Sequence, residues 1–322
     1  MELISATVLH DFGIYPKRIR KDKSSFVLQT DTGSFTIKKS LDSGARVCFA
    51  HSIKEHLASH GFINTDRFRQ SSSGKPYVEH EGDIFVCTNT TTLRESNFDE
   101  PSDVLRAIES TAQMHRQASG VTITGKVFKR ENALTQLRKD VAEVCAIKRR
   151  LGQSGGLSDF DVILLKNYNF YISQMKHTVA ELEATQFETY LEQTLIQPQI
   201  IHNRLKEETL LTDGTELYIT NFGAAELGYS LFDLISLIMR HLRESSNPSQ
   251  LKVFDMIEVY NRHNPLRNED IRIARALLHY PFRFVNLLRA YYSKKRTWTP
   301  NAILHKMQNI TANRDTYYAQ LE

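Results

Sequence analysis

Cysteine, tryptophan and long apolar runs are scarce in this chain of 322 residues. Its three cysteines, Cys48, Cys87 and Cys145, are odd in number and form no C-x-x-C pair. That argues against a disulfide framework and for a reducing compartment. No apolar run approaches the ~18 residues of a membrane span. The opening stretch MELISATVLHDFGIYPKR carries Glu2 and Asp11 and has no basic segment ahead of an apolar one. It does not have the pattern of a secretory leader. Charge of one sign is also missing: 41 basic residues stand against 37 acidic ones, a net charge of +4. That excess is too small to imply nucleic acid by itself. Strong repeats and low-complexity segments are absent.

What is present is ordinary for a soluble globular chain, with 41% hydrophobic and 24% charged residues. The length suggests two structural units. Ser24 to Lys39 holds two alternating runs around Asp31-Thr32-Gly33, a hairpin signal. Phe49, Ile53 and Leu57 recur at helical spacing, with Gly61 placed to end that helix. Two further strand-like runs follow, with a turn at Gly82-Asp83. Past Asn89 the pattern becomes helical. Ser102 and Ser158 are the expected N-caps of two long helices. Near Gln199 short strands return, with a second hairpin turning at Asp213-Gly214. From Tyr229 onward the chain is expected to be helical, broken near Pro248, Pro265 and Pro281. The expected class is segregated α+β: a strand-rich lobe with one helix over residues 1–89, and a helical lobe over residues 90–322.

Between the strands lies IIHNRLKEETLL, Ile200 to Leu211, a polar loop framed by apolar pairs. Phosphoryl transfer needs a lysine on the phosphates, a glutamate holding it, a base near the acceptor and oxygen ligands for Mg²⁺. Lys38 on a hairpin strand, Glu55 on the next helix, this loop, and Tyr218 to Glu226 after the second hairpin fall in that order. The chain resembles the CotS-type spore coat kinase-like family of the aminoglycoside phosphotransferase and choline kinase superfamily. The resemblance rests on Thr111-Ala112-Gln113-Met114-His115, on Phe232-Asp233-Leu234, and on Tyr260 with Asn264-Pro265-Leu266 and Glu269. Tyr280-Pro281, Phe284, Tyr291-Tyr292 and Trp298 complete it. It implies a two-lobe protein-kinase-like fold of the aminoglycoside phosphotransferase type.

Set against that family's pattern, the chemistry has been removed. His202 fits the start of the catalytic loop, but Asn203 replaces the glycine, Arg204 the aspartate base and Thr209 the metal-binding asparagine. Asn221 replaces the metal-binding aspartate. A guanidinium accepts no proton at neutral pH. Mg²⁺ favours carboxylates, and none of these positions supplies one. The resemblance therefore implies an inactive kinase-like protein: no expected catalytic residue, no metal, weak or absent ATP binding, and contacts with other spore coat proteins. Its implied setting is the mother-cell cytoplasm or the spore coat. A phosphotransferase with rearranged residues, acting on a small molecule such as a sugar or an aminoglycoside-like compound, remains the alternative, beside a metal-independent nucleotide-sensing module.

Lys38 and Glu55 are either a remnant of the nucleotide clamp or an ion pair steadying the first lobe. His202 and Asp233 are expected to order the loop, Asp233 by accepting loop N–H groups. Arg204 and Lys206 could hold an anion or be solvated charges. Glu207 and Glu208 would substitute for the lost carboxylates only by a shifted geometry. Cys48, His51, His56 and His60 have metal-ligand types at helical spacing without a partner cluster, so they are expected to be ordinary helix residues. The basic stretches YPKRIRKDK and YYSKKRTW are expected to be solvated faces rather than a nucleic-acid surface.

Overall fold

The computed structural model describes residues 4–130, 132–196, 199–292 and 299–321. Strands β1 (Arg18–Asp22), β2 (Ser25–Thr30), β3 (Gly33–Ser40), β4 (Val78–His80) and β5 (Asp83–Asn89) form one antiparallel sheet. Their order is β1-β2-β3-β5-β4. The β2–β3 turn falls on Asp31 and Thr32, where it was expected. The β4–β5 turn is Glu81-Gly82, one residue earlier than expected. Both of its residues have positive φ, the geometry of a tight two-residue hairpin.

Alternation along β3 assigns its two faces. Phe35 and Ile37 enter a small core with Leu28, Val78 and Cys87, closed by Val8, Phe12 and Ile14. Val8 comes from α1 (Ala6–Asp11), whose N-terminus is capped by the Ser5 hydroxyl. The expectation of one helix in this lobe is therefore corrected to two. Six residues are too few for a helical period to be read from sequence.

The second helix, α2 (Gly44–Ser59), starts at a Ser43 cap, and Gly61 follows its end with φ +90°. Its buried side chains are Val47, Phe49, Ala50, Ile53, Lys54 and Leu57. Phe49, Ala50, Ile53 and Leu57 belong to the core of the helical lobe, not to the small sheet core. The Phe49 ring meets Phe128 edge-on at 5.3 Å. The Arg46 guanidinium lies 3.9 Å over the Phe128 ring and donates to the Ala225 carbonyl at 2.6 Å.

Past the sheet, β6 (Arg94–Glu95) leads into the helical lobe. Helices α3 (Pro101–Gln117), α4 (Ala133–Leu151), α5 (Asp159–Ala184) and α6 (Phe187–Ile196) come first. Short strands β7 (Ile200–Ile201), β8 (Leu210–Thr212), β9 (Leu217–Ile219) and β10 (Glu226–Leu227) follow. The rest is α7 (Leu231–Glu244), α8 (Val253–His263), α9 (Asn268–His279), α10 (Phe282–Tyr292), α11 (Pro300–Ala312) and α12 (Arg314–Ala319). Ser158 caps α5 through a reciprocal capping box with Asp161. Ser102 caps nothing: α3 begins at Pro101 behind Glu100, because proline with its fixed φ suits the first helical position. The β8–β9 turn is held by Asp213, whose carboxylate accepts from the Thr215 and Glu216 N–H groups.

The stretch between α2 and β4 is hydrogen-bonded to both lobes. The Asn64 carbonyl accepts from Ile219 N–H at 3.0 Å, and Arg69 N–H donates to the Cys87 carbonyl at 2.8 Å. Because the α2 side chains and the helical lobe share one core, the lobes should unfold together. Phe49→Ala is expected to cost about 3–5 kcal/mol in chemical denaturation while keeping a single transition. Two separate transitions in the unmutated protein would contradict a shared core.

Candidate active-site cleft

The polar loop is built around one buried carboxylate. Asp233, near the start of α7, accepts from His202 N–H at 2.6 Å and from Asn203 N–H at 2.9 Å. A carboxylate only accepts, so the His115 Nε2–H donates to it at 3.1 Å. With that tautomer, His115 Nδ1 accepts from the Tyr260 hydroxyl at 2.8 Å. The Asn264 amide donates to Tyr260 in turn, at 2.9 Å. Burial works against the Asp233 charge, but the His115 hydrogen bond and the loop N–H groups hold its carboxyl below the usual range. Four residues singled out separately in the sequence, His115, Asp233, Tyr260 and Asn264, thus form one chain beneath the loop.

His202 is fully buried, edge-on to the Phe222 ring, and its Nε2 bonds the Thr220 carbonyl at 2.9 Å. Burial pushes its imidazole down, toward the neutral form. Asn203 has φ +64°, the left-handed region that asparagine tolerates better than most non-glycine residues. That is why it can stand where the family pattern has glycine. The Thr209 hydroxyl is buried and consumed within the loop: it accepts from Lys206 N–H at 3.0 Å and lies 2.8 Å from the Arg204 carbonyl. Arg204 is half-exposed and faces Glu208 at 3.6 Å. Lys206 also pairs with Glu208, and Glu207 pairs with Arg240 at 3.1 Å. Both loop glutamates are committed to cations, so neither replaces a lost ligand.

Lys38 and Glu55 do not pair, which corrects both the clamp remnant and the alternative ion pair steadying the first lobe, because Glu55 is taken by Arg67. Glu55 is one residue past the buried stripe of α2 and binds Arg67 at the surface, with His51 at 3.7 Å. The buried position belongs to Lys54. Its ammonium is fully enclosed and contacts both the carboxylate and the carbonyl of Asp66 at 2.7 Å. It lies 3.6 Å from the Phe68 ring centre and 5.8 Å from that of Phe222. Burial pushes the Lys54 ammonium down, Asp66 opposes this, and Lys38 adds like-charge repulsion. Lys38 is half-buried on the β3 face opposite Phe35 and Ile37. No described carboxylate pairs with it.

Asp66 also accepts from the backbone N–H of Asn221, at 3.2 Å and 3.3 Å to its two oxygens. Asn221 has φ +63° and starts the short turn through Phe222 and Gly223. Asp42, from the loop before α2, packs so closely on Gly223 that an added Cβ would collide with its carboxylate. Lys54, Asp66 and Asp42 were not read as site residues from the sequence. Lys54 gave one signal: it interrupts an apolar stripe, between Ala50 and Leu57.

These groups do not fit a Mg²⁺ site. Asn221 offers one neutral oxygen, the Thr209 hydroxyl is spent on its own loop, and Asp66 is held by Lys54. No cluster of three His, Cys, Asp or Glu side chains suited to a metal occurs among the described residues. His56 and His60 stack on each other at 4.0 Å. The β1–β2 turn is the two residues Lys23-Ser24, without a glycine. The strand β1 is exposed throughout, and residues 293–298 of YYSKKRTW, with Trp298, lie outside the described residues.

The chain matches the family described as spore coat putative kinase YutH over residues 5–322. It belongs to that family. A search of curated proteins finds no match. The fold is that of aminoglycoside phosphotransferase- and choline kinase-type kinases. An aminoglycoside phosphotransferase from Alicyclobacillus acidocaldarius is 17% identical with a TM-score of 0.85, covering 100% of this chain and 95% of that one. A spectinomycin phosphotransferase, solved with ADP and spectinomycin, is 11% identical with a TM-score of 0.61 (94% of this chain, 92% of that one). A microcompartment-associated aminopropanol kinase is 10% identical with a TM-score of 0.62, over 98% and 97% of the two chains. No described helix of this YutH-family chain is long and apolar enough to cross a membrane.

Removing one partner of a buried ion pair strands the other charge. Asp66→Asn should therefore cost this family member about 3–5 kcal/mol in denaturant unfolding. Adding Lys54→Met to that variant should recover part of the loss. A double variant no more stable than Asp66→Asn would show that the pair is not what holds the cleft.

Proposed function

We propose that this YutH-family protein is a catalytically inactive kinase-like component of the spore coat that acts through contacts with other coat proteins. In this reading it is made in the mother-cell cytoplasm and carries no metal or nucleotide as a working cofactor. The observation that carries it is the fate of the loop: the Asp233 and Thr209 hydrogen bonds that shape it are present, while the base and metal-ligand positions hold Arg204, Thr209 and Asn221. In-line phosphoryl transfer relies on metal charge and a positioned base. Arg204, Thr209 and Asn221 supply neither a base nor a charged metal ligand. The membership of a coat family supports the setting.

A second reading, nucleotide sensing without turnover, is favoured only by Lys38, a half-buried lysine on the cleft face with no described carboxylate partner. Thermal unfolding with ATP, with and without Mg²⁺, separates the two. A ligand of the native state at 100 times its Kd stabilises by about 2.7 kcal/mol. No shift is expected under either condition; a Mg²⁺-independent shift abolished by Lys38→Gln would establish the sensor instead. Phosphate release that depends on Mg²⁺ and is lost in Asn221→Ala would overturn inactivity. Arg204→Asp with Asn221→Asp is expected not to restore activity unless the Lys54–Asp66 pair is also replaced.

A further inference from the structure

A cavity of about 360 Å³ lies in the helical lobe, at the end of α7 remote from Asp233. Ten residues of helix separate Asp233 from Arg243, a rise of about 15 Å. Its apolar wall includes the stacked rings of Tyr171 and Phe284, 4.1 Å apart, and Tyr317. Its lining holds Arg243 from α7, Arg283 from α10 and Arg314 from α12, and no carboxylate among the described residues.

Arg314 is satisfied by Asp315 and Asn167. The other two guanidiniums have no described hydrogen-bond or ion-pair partner. Glu244, the acid next to Arg243 in sequence, is bound to Arg240 at 2.7 Å. Burial, and then Arg283, push the Arg243 guanidinium down to about 10. A lone arginine near the last turn of a helix could be explained by the helix dipole. A second one brought against it from another helix cannot, because the two repel. Gln320, which lines the same cavity, has its Oε1 buried with no partner. That acceptor calls for a donor in whatever fills the space.

We propose that this cavity binds a small organic phosphate bearing hydroxyl groups, of sugar-phosphate size, with its phosphate between Arg243 and Arg283. The phosphate supplies the negative charge that the described lining residues lack and can accept from both planar forks. A ligand hydroxyl donates to Gln320, and the carbon skeleton lies against the aromatic wall. The volume is within the usual range for small-molecule sites.

Calorimetric titration of the full chain at low salt with glucose-6-phosphate, glucose and inorganic phosphate tests this. Saturable binding of glucose-6-phosphate is expected, with inorganic phosphate weaker and glucose undetected. Arg283→Gln, an exposed position that should leave folding intact, and Arg243→Gln should each weaken binding by about tenfold or more. Lys38→Gln, in the interlobe cleft, should leave it unchanged. The proposal is overturned if no phosphate binds saturably, if glucose binds as well as its phosphate, if neither arginine variant alters the affinity, or if Lys38→Gln abolishes it.

Discussion

The buried Lys54–Asp66 pair is the constraint on which the cleft depends. A lysine ammonium is tolerated in a fully enclosed site only when an opposite charge accompanies it. Asp66 supplies that charge, and its carboxylate also accepts from the Asn221 N–H. The pair therefore ties α2 to the linker and to the turn that carries Asn221. Arg46 on Ala225 and Asn64 on Ile219 add two more ties between the same parts. In a nucleotide-binding kinase cleft, a lysine on the third strand and a carboxylate on the next helix hold each other. Here the buried position of the helix carries Lys54, paired with Asp66, and Glu55 turns to Arg67.

Loop architecture and loop chemistry have separated. Asp233, His115, Tyr260 and Asn264 support the loop from below, and Thr209 closes it from within. None of these bonds requires a substrate. Arg204 points to solvent and finds Glu208, a local pairing that an exposed loop makes at little cost or gain. In the proposed reading, a loop kept in shape with Arg204, Thr209 and Asn221 at the base and metal-ligand positions serves to present a surface.

The fold was legible because its signals are local and long. Hairpin alternation, the Ser158 cap and the apolar face of α2 are each stated within a few residues. The family motifs then fixed the topology, and Asp233 could be assigned to the loop through them. What escaped was set by distant partners. Glu55 and Lys54 are neighbours on one helix, and only their rotation of about 100° decides which is buried. Asp66 lies in an irregular stretch with no periodicity to mark it, and its role exists only because that stretch runs beside both α2 and Asn221. The short helix α1 carried too little pattern to be read, and α4 was not anticipated either, though Asn132 caps it.

Hydrogen–deuterium exchange of the full chain, with and without saturating ATP and Mg²⁺, tests the proposed inactive cleft most directly. Unchanged exchange is expected across α2, the loop from His202 to Thr209 and the turn at Asn221. Mg²⁺-dependent protection of the Asn221 turn together with α2 would contradict the proposed inactivity of the cleft.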